Sequence, residues 1–230
     1  MSDTSETDET LAEIEARRDA LMLATLRHVP FDGWSDRAIR AGATELGIDA
    51  AVADNLLPGG AEEVMALFHH WADREMLLRY EATPKDDLRT RDRAALALKL
   101  RLRACLPYRE AVRQGVGFLA QPQHAVMATR MTWRTCDAVW HALGDTATDF
   151  NYYTKRGLLA AVYGAAVMYW LSDKSDDMQA TEAFIDRRIA DVMQVPRLMG
   201  ELRKAAARFP NPMRIVRGFR PTGSGRGFPR

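Results

Sequence analysis

The residues of this 230-residue chain that could do chemistry are few. His69 and His70 stand side by side in the run HHWADRE, and histidine is the commonest metal ligand. Neighbouring residues on a helix point about 100° apart, so the two imidazoles cannot easily share one ion. Glu62 and Glu63 approach them only across one or two turns, and no HExxH-like ligand set is present. Both histidines therefore read as ordinary residues of a helix surface. Cys105 and Cys136 form no CxxC or His/Cys cluster, and their helical contexts make them reduced core thiols rather than a zinc site or a disulfide. The chain has no GxSxG elbow, no glycine loop that could cradle phosphate and no carboxylate pair in an acid/base setting. It reads as a non-enzyme that needs neither cofactor nor metal.

What the chain offers instead is an aromatic and apolar surface. Trp133, Trp140, Tyr152, Tyr153, Tyr163, Tyr169 and Trp170 are denser than the aromatics elsewhere, and ordinary core packing explains most such stripes. Here small residues interleave with the large ones at Gly157, Ala160, Ala161, Gly164, Ala165 and Ala166. That leaves room either for close helix packing or for a long apolar guest, and bundle interiors are a known location for such pockets. The run DTATDFNYYTKRGLLAAVYGAAVMYWLSD, residues 145–173, concentrates both features. Thr148 or Asp149 can cap a helix there. From Leu158 to Leu171 it carries no charge and no proline. Such a helix must be covered by neighbouring helices, a second subunit or a lipid.

The elements that position these residues are predicted to be helices throughout, since no segment alternates like a strand. The first runs from about Leu11 to Arg27, with Leu21, Leu23, Leu26 and Val29 inward, and Pro30 and Gly33 break it. Ser35 caps a second helix carrying Ile39, Ala43 and Leu46, ended by Gly47. A short helix spans Asp49 to Leu56, and Pro58-Gly59-Gly60 then forces a turn. A long helix follows from Ala61 to Glu81, with Val64, Leu67, Phe68, Trp71 and Leu78 on one side. Further helices are expected over 91–104, 109–120, 123–143, 148–172, 178–195 and 196–209.

Three short helices, a long connector and a larger bundle make the layout of TetR-type regulators, an analogy that licenses an architecture and not an activity. The helix after the turn in such proteins reads DNA. Here that helix carries Asp49 and Asp54 and no base, and only Arg37 and Arg40 on the preceding helix could offset their repulsion from phosphate. A structural three-helix unit without nucleic acid is the better reading, and a ligand-responsive repressor is the alternative.

Lys+Arg and Asp+Glu nearly cancel, at 32 against 31. Their distribution is uneven: residues 1–15 hold six acids and no base, and residues 210–230 hold five arginines and no acid. The first reads as a disordered, solvated tail and the second as a contact for anionic lipid or RNA. No window reaches the roughly 18 apolar residues of a membrane span, and the acidic start resembles neither a secretory signal nor a transit peptide. A cytoplasmic protein is expected. In the last helix Leu198, Leu202, Ala205 and Phe209 form one row beside Arg197, Glu201, Lys204 and Arg208. That pattern suits either an anionic membrane interface or docking on the bundle.

The block GDTATDFNYYTKRGLLAAVYGAAVMYWLSDKSDDMQATEAFIDRRIADV resembles the COQ-nine family of ubiquinone-biosynthesis accessory proteins. The resemblance lies in the D-T-x-T-D-x-N-x-Y-T-x-R lead, the L-A-x-V-Y step, the W-L-x-D-x-S turn and the T-x-x-F-x-x-R-I helix. It implies a TetR-like homodimer that has lost DNA binding, holds an isoprenoid lipid and presents a prenylated quinone to a di-iron hydroxylase. It implies partner contacts at Asp149, Asn151, Tyr152, Tyr153 and Arg156, with Tyr152-Tyr153 where the family usually has Trp-Tyr. It implies a lipid pocket walled by Leu158, Val162, Tyr163 and Met168, with Trp133 or Trp140 opposite. The terminal helix would be the family's membrane contact through Leu198, Leu202, Phe209, Arg197, Lys204 and Arg208, more basic and less apolar than the family's. Peripheral association with the inner membrane follows from the same resemblance.

The expected organisation is thus all-α. An acidic tail (1–10) precedes a helix-turn-helix-like unit (11–84) and a lipid-binding and dimerisation bundle (85–195). An amphipathic helix (196–209) and a basic tail (210–230) close the chain.

Overall fold

The computed structural model describes residues 2–145 and 150–192, the side chains of 2–10, 150 and 151 excepted. Every regular element among the described residues is helical. α1 (Ser2–Asp32) is longer than its periodicity suggests, starting inside the stretch read as tail and continuing through Pro30. Proline so close to a helix end forfeits only a bond near the last turn. Gly33 makes the stop, at φ +69° with its N–H on the Val29 carbonyl, in the left-handed conformation that glycine adopts without strain.

α2 (Asp36–Glu45) is capped by Ser35, whose hydroxyl accepts from the Ala38 N–H. α3 (Ala50–Leu56) is capped by Asp49, which accepts from Ala51 N–H at 2.8 Å. α1 and α2 cross very closely. A Cβ on Gly42 would sit 2.7 Å from the Thr25 nitrogen, so only glycine allows this approach. α4 (Gly60–Ala82) buries Val64, Met65, Phe68, Met76 and Tyr80, and leaves Leu78, expected inward, 62 % exposed. Helical spacing from the true buried row places Leu78 on the far side.

α5 (Thr90–Cys105) packs along α4, and the helices through Ala190 form one compact unit that includes both sides of residue 84. α6 (Arg109–Leu119) and α7 (Ala125–Ala142) follow, each introduced by a short 3₁₀ turn at Pro107 and Pro122. α8 (Phe150–Ser172) contributes Leu159, Val162, Ala166 and Trp170 to the interior. Its opposite face, through Gly157, Ala161, Gly164, Ala165 and Met168, is exposed and uncharged, so the chain itself covers only part of this helix. A ninth helix, α9, covers residues 179–192. The expected caps Thr148 and Asp149, and everything from 193 onward, lie outside the described residues.

The join between α8 and α9 explains two of the recognised motifs as structure. Asp173 accepts from the Ser175 N–H and hydroxyl at 2.8 and 2.7 Å, and from the Thr181 N–H at 2.9 Å and its hydroxyl. Desolvation pushes this carboxyl up, but the hydrogen bonds from Thr181 and Ser175 outweigh it and hold it at about 2. Arg109 donates to the Trp170 and Asp173 carbonyls and Arg113 to that of Leu171, so two cations of α6 cap the C-terminal end of α8.

Candidate functional site

A cavity of about 350 Å³ lies between α4, α5, α6 and α8. Its walls are apolar, with Phe68 from α4, Leu102 from α5, Val116 and Leu119 from α6, and Val167 and Trp170 from α8. Trp34 closes one side, fixed by its indole N–H on the Ala111 carbonyl at 3.1 Å. Two lining residues of α8, Gly164 and Met168, are exposed, Met168 by 58 %, so the cavity opens outward at that helix.

One end of the cavity is polar. Arg101, 3 % exposed, donates from Nε to Asp73 Oδ1 at 2.7 Å and from Nη1 to the Tyr163 hydroxyl, and its Nη2 lies 3.2 Å from His69 Nδ1. Thr135 donates to the same Asp73 oxygen at 2.8 Å. Burial alone would lower the Arg101 pKa, but the oxygens of Tyr163 and Asp73 more than offset this and raise it, so the guanidinium stays charged. Desolvation raises the Tyr163 hydroxyl, which therefore keeps its proton. Desolvation, with Arg101 and Arg134 nearby, lowers His69 to about 3, so its imidazole is neutral. A buried cation, a buried anion and neutral Tyr and His side chains thus make a polar end with no net charge.

Of the six residues expected to wall a lipid pocket, Tyr163 and Met168 line this cavity. Val162 and Trp140 are buried elsewhere in the interior, and Leu158 lies half-buried away from the lining. Trp133 belongs to a different cluster, described below, and the tryptophans that line this cavity are Trp34 and Trp170. The helical phase is the reason: α8 turns Tyr163, Val167 and Trp170 inward together, at steps of four and three. His69, read from the sequence as a residue of the helix surface, is half-buried and lines the cavity. Sequence reasoning missed Asp73 and Arg101 altogether. The available signal was Asp73 standing on the row Met65, Met76 and Tyr80, a charge at an inward position.

The start of α8 makes a second cluster. Tyr153 is 63 % exposed, edge-on to Tyr152 at 5.1 Å and 6.0 Å from Trp133. Tyr152 is held from behind: its hydroxyl donates to Asp137 at 3.1 Å and its ring carries the Arg156 guanidinium at 3.5 Å. Arg156 was expected on a partner surface, but it is 3 % exposed and bonded to Asp137 at 2.7 Å and Asp145 at 3.3 Å. Desolvation pushes Asp145 up, but Lys155 and Arg156 outweigh it and hold its carboxyl below the usual range. Arg156 therefore ties α8 to α7, and Tyr153 is the side chain presented outward. Asp149 lies outside the described residues, Asn151 is placed only as helix backbone, and the six expected membrane contacts of the terminal helix are likewise outside.

Tyr153 and the cavity mouth share a face. Eleven residues separate Tyr153 from Gly164, which is about 17 Å along the helix and about 20° of rotation. The exposed residues of α3 are Ala50, Ala51, Val52, Asp54 and Asn55, so that face carries an acid and no base. No helix among the described residues is long and apolar enough to cross a membrane.

Residues 125–196, which contain α7, α8 and α9, match the COQ9 family. The rat ubiquinone biosynthesis protein COQ9, mitochondrial, is 31 % identical over 202 residues, covering 84 % of this chain and 64 % of the relative. The human protein of the same name is 29 % identical over 200 residues, covering 83 % of this chain and 62 % of the relative. The chain thus spans somewhat less than two thirds of the length of these relatives. Among solved structures, a TetR transcriptional regulator from Nitrosomonas europaea ATCC 19718 superposes with a TM-score of 0.64 at 19 % identity. That match covers 77 % of this chain and 98 % of the regulator, and it establishes the TetR-like fold.

Proposed function

The chain belongs to the COQ9 family, and on that premise we propose that it serves ubiquinone biosynthesis as a non-catalytic, lipid-binding accessory protein. In this reading it holds the ring end of a prenylated quinone intermediate in the cavity and presents it to a hydroxylase docked at Tyr153. The observation that carries the reading is the apolar cavity whose mouth opens on the same face of α8 as that exposed tyrosine.

A cavity of about 350 Å³ is near the lower end of the range for small-molecule sites, and it suits a ring with a short length of chain rather than a whole polyprenyl tail. Each buried CH₂ contributes about 0.8 kcal/mol, but the bilayer buries the tail equally well. The protein then lowers the barrier to exposing the ring and leaves most of the tail in lipid. No covalent step is asked of it. A homodimer, peripheral membrane contact through residues 196–209 and the absence of nucleic-acid binding belong to the same proposal. The acidic, base-free face of α3 supports the last of these.

Native mass spectrometry of the purified protein tests the reading, with the dimer mass plus a co-purified neutral lipid as the expected result. A chain that emerges lipid-free and takes up no prenyl quinone after reconstitution refutes it. Tyr153→Lys is expected to abolish co-purification of the hydroxylase with helical content unchanged by circular dichroism. Undiminished co-purification removes the docking edge.

A further inference from the structure

The polar end of the cavity restricts what can sit there. Arg101 directs its guanidinium to Asp73, Tyr163 and His69, and Asp73 balances its charge, so it offers no open fork to an anion. Two donors are left over on the neutral side chains at this end. Tyr163 accepts from Arg101 Nη1, and its own hydroxyl hydrogen has no acceptor among the described residues. His69 meets the Arg101 N–H through Nδ1, which must then be the accepting nitrogen, so the neutral ring carries its proton on Nε2. That N–H also has no acceptor among the described residues. Both side chains line the cavity, and Arg101 lies between them.

Unmet donors in an apolar enclosure favour a guest that supplies an acceptor there and disfavour one that does not. We propose that Tyr163 and His69 form a two-donor recognition site for an oxygen acceptor on an otherwise apolar, uncharged guest, such as a ring carbonyl or ether oxygen. The guest's apolar body then lies against Phe68, Leu102 and Val116 and points towards Gly164 and Met168 at the mouth. This rests on the reading of the cavity as a lipid site and adds what that reading leaves open: the head group is recognised by hydrogen bonding, and the guest is neutral. A fatty-acid anion is disfavoured at this end, because its charge would be desolvated there while Arg101 is already committed to Asp73.

Trp34 and Trp170 line the cavity, so tryptophan fluorescence of the full chain reports occupancy. The probes are a benzoquinone bearing two isoprene units, the benzene hydrocarbon bearing the same chain, and decanoate. The quinone is expected to bind at least about 10-fold more tightly than the hydrocarbon, and Tyr163→Phe or His69→Leu to shrink that ratio by about 3- to 10-fold each. Hydrocarbon affinity should hold or rise in both variants, since each removes a donor that the hydrocarbon leaves unmet, and this separates loss of recognition from loss of fold. His69→Gln, which restores a side-chain N–H, should recover part of the ratio. Equal binding of quinone and hydrocarbon, a ratio untouched by both variants, or decanoate binding as tightly as quinone overturns the proposal while leaving a lipid cavity standing. Failure of both quinone and hydrocarbon to bind removes the cavity reading and the proposal together.

Discussion

Arg101→Met is the most demanding test of the interior. The side chains of Arg101 and Asp73 are 3 % and 6 % exposed and meet at 2.7 Å, so each charge depends on the other for what water would otherwise supply. At an effective dielectric of about 20, opposite charges about 4 Å apart attract by about 4 kcal/mol. Removing one partner of a buried pair typically costs about 3–5 kcal/mol, because the survivor is left buried and uncompensated. Asp73 would keep only the Thr135 hydroxyl at Oδ1, and its Oδ2 already lacks a partner among the described residues. A loss of about 3–4 kcal/mol is therefore expected for Arg101→Met, a large share of the roughly 5–15 kcal/mol that holds a domain together. The double variant Asp73→Leu/Arg101→Met, which removes both charges at similar volume, should recover most of that loss. Urea unfolding followed by circular dichroism measures both, with the slope checked for constancy. If Arg101→Met costs less than about 1 kcal/mol, or the double variant is no more stable than the single, the pair is not the buried electrostatic unit described above.

Gly42→Ala places a methyl group against the Thr25 backbone, at 2.7 Å from its nitrogen, and should destabilise by about 1–3 kcal/mol in thermal unfolding. An unchanged melting temperature would show that α1 and α2 can separate freely. Asp173→Ala removes a carboxylate that accepts four hydrogen bonds at the α8–α9 join, and should cost about 1.5–3 kcal/mol in urea unfolding. The Asp173 carboxyl is held at about 2, below its ordinary value near 3.8. The stability it contributes is therefore present above about pH 4 and drains away as pH falls towards 2. Urea midpoints for wild type and Asp173→Asn between pH 6 and 3 should converge on acidification, and parallel lines would contradict the linkage.

The helices themselves were largely legible. Ser35, Gly33 and Gly47 act through their own turn of backbone, so their spacing predicts a cap and stops that the structure contains. Pro30 misleads because its cost depends on where in the helix it falls, and Leu78 because an apolar residue does not announce which face will be covered. The tyrosine pair and Arg156 were legible as a cluster but not as roles. The sequence cannot tell that Asp137 and Asp145 draw Arg156 inward while Tyr153 is left outside.

By itself, then, the sequence determined an all-helical chain, a run over 158–171 that needs more than solvent around it, and a resemblance concentrated in residues 144–192. Helix periodicity and capping are local, and so is a motif. The tertiary structure alone decided that His69, Asp73, Arg101, Thr135 and Tyr163 meet at one end of a cavity. Their partners lie 28, 32 and 62 residues apart along the chain, so no window of sequence contains the pairing. Only the packing of α4, α5, α7 and α8 supplies the burial that brings five ordinary polar residues together as the polar end of one cavity.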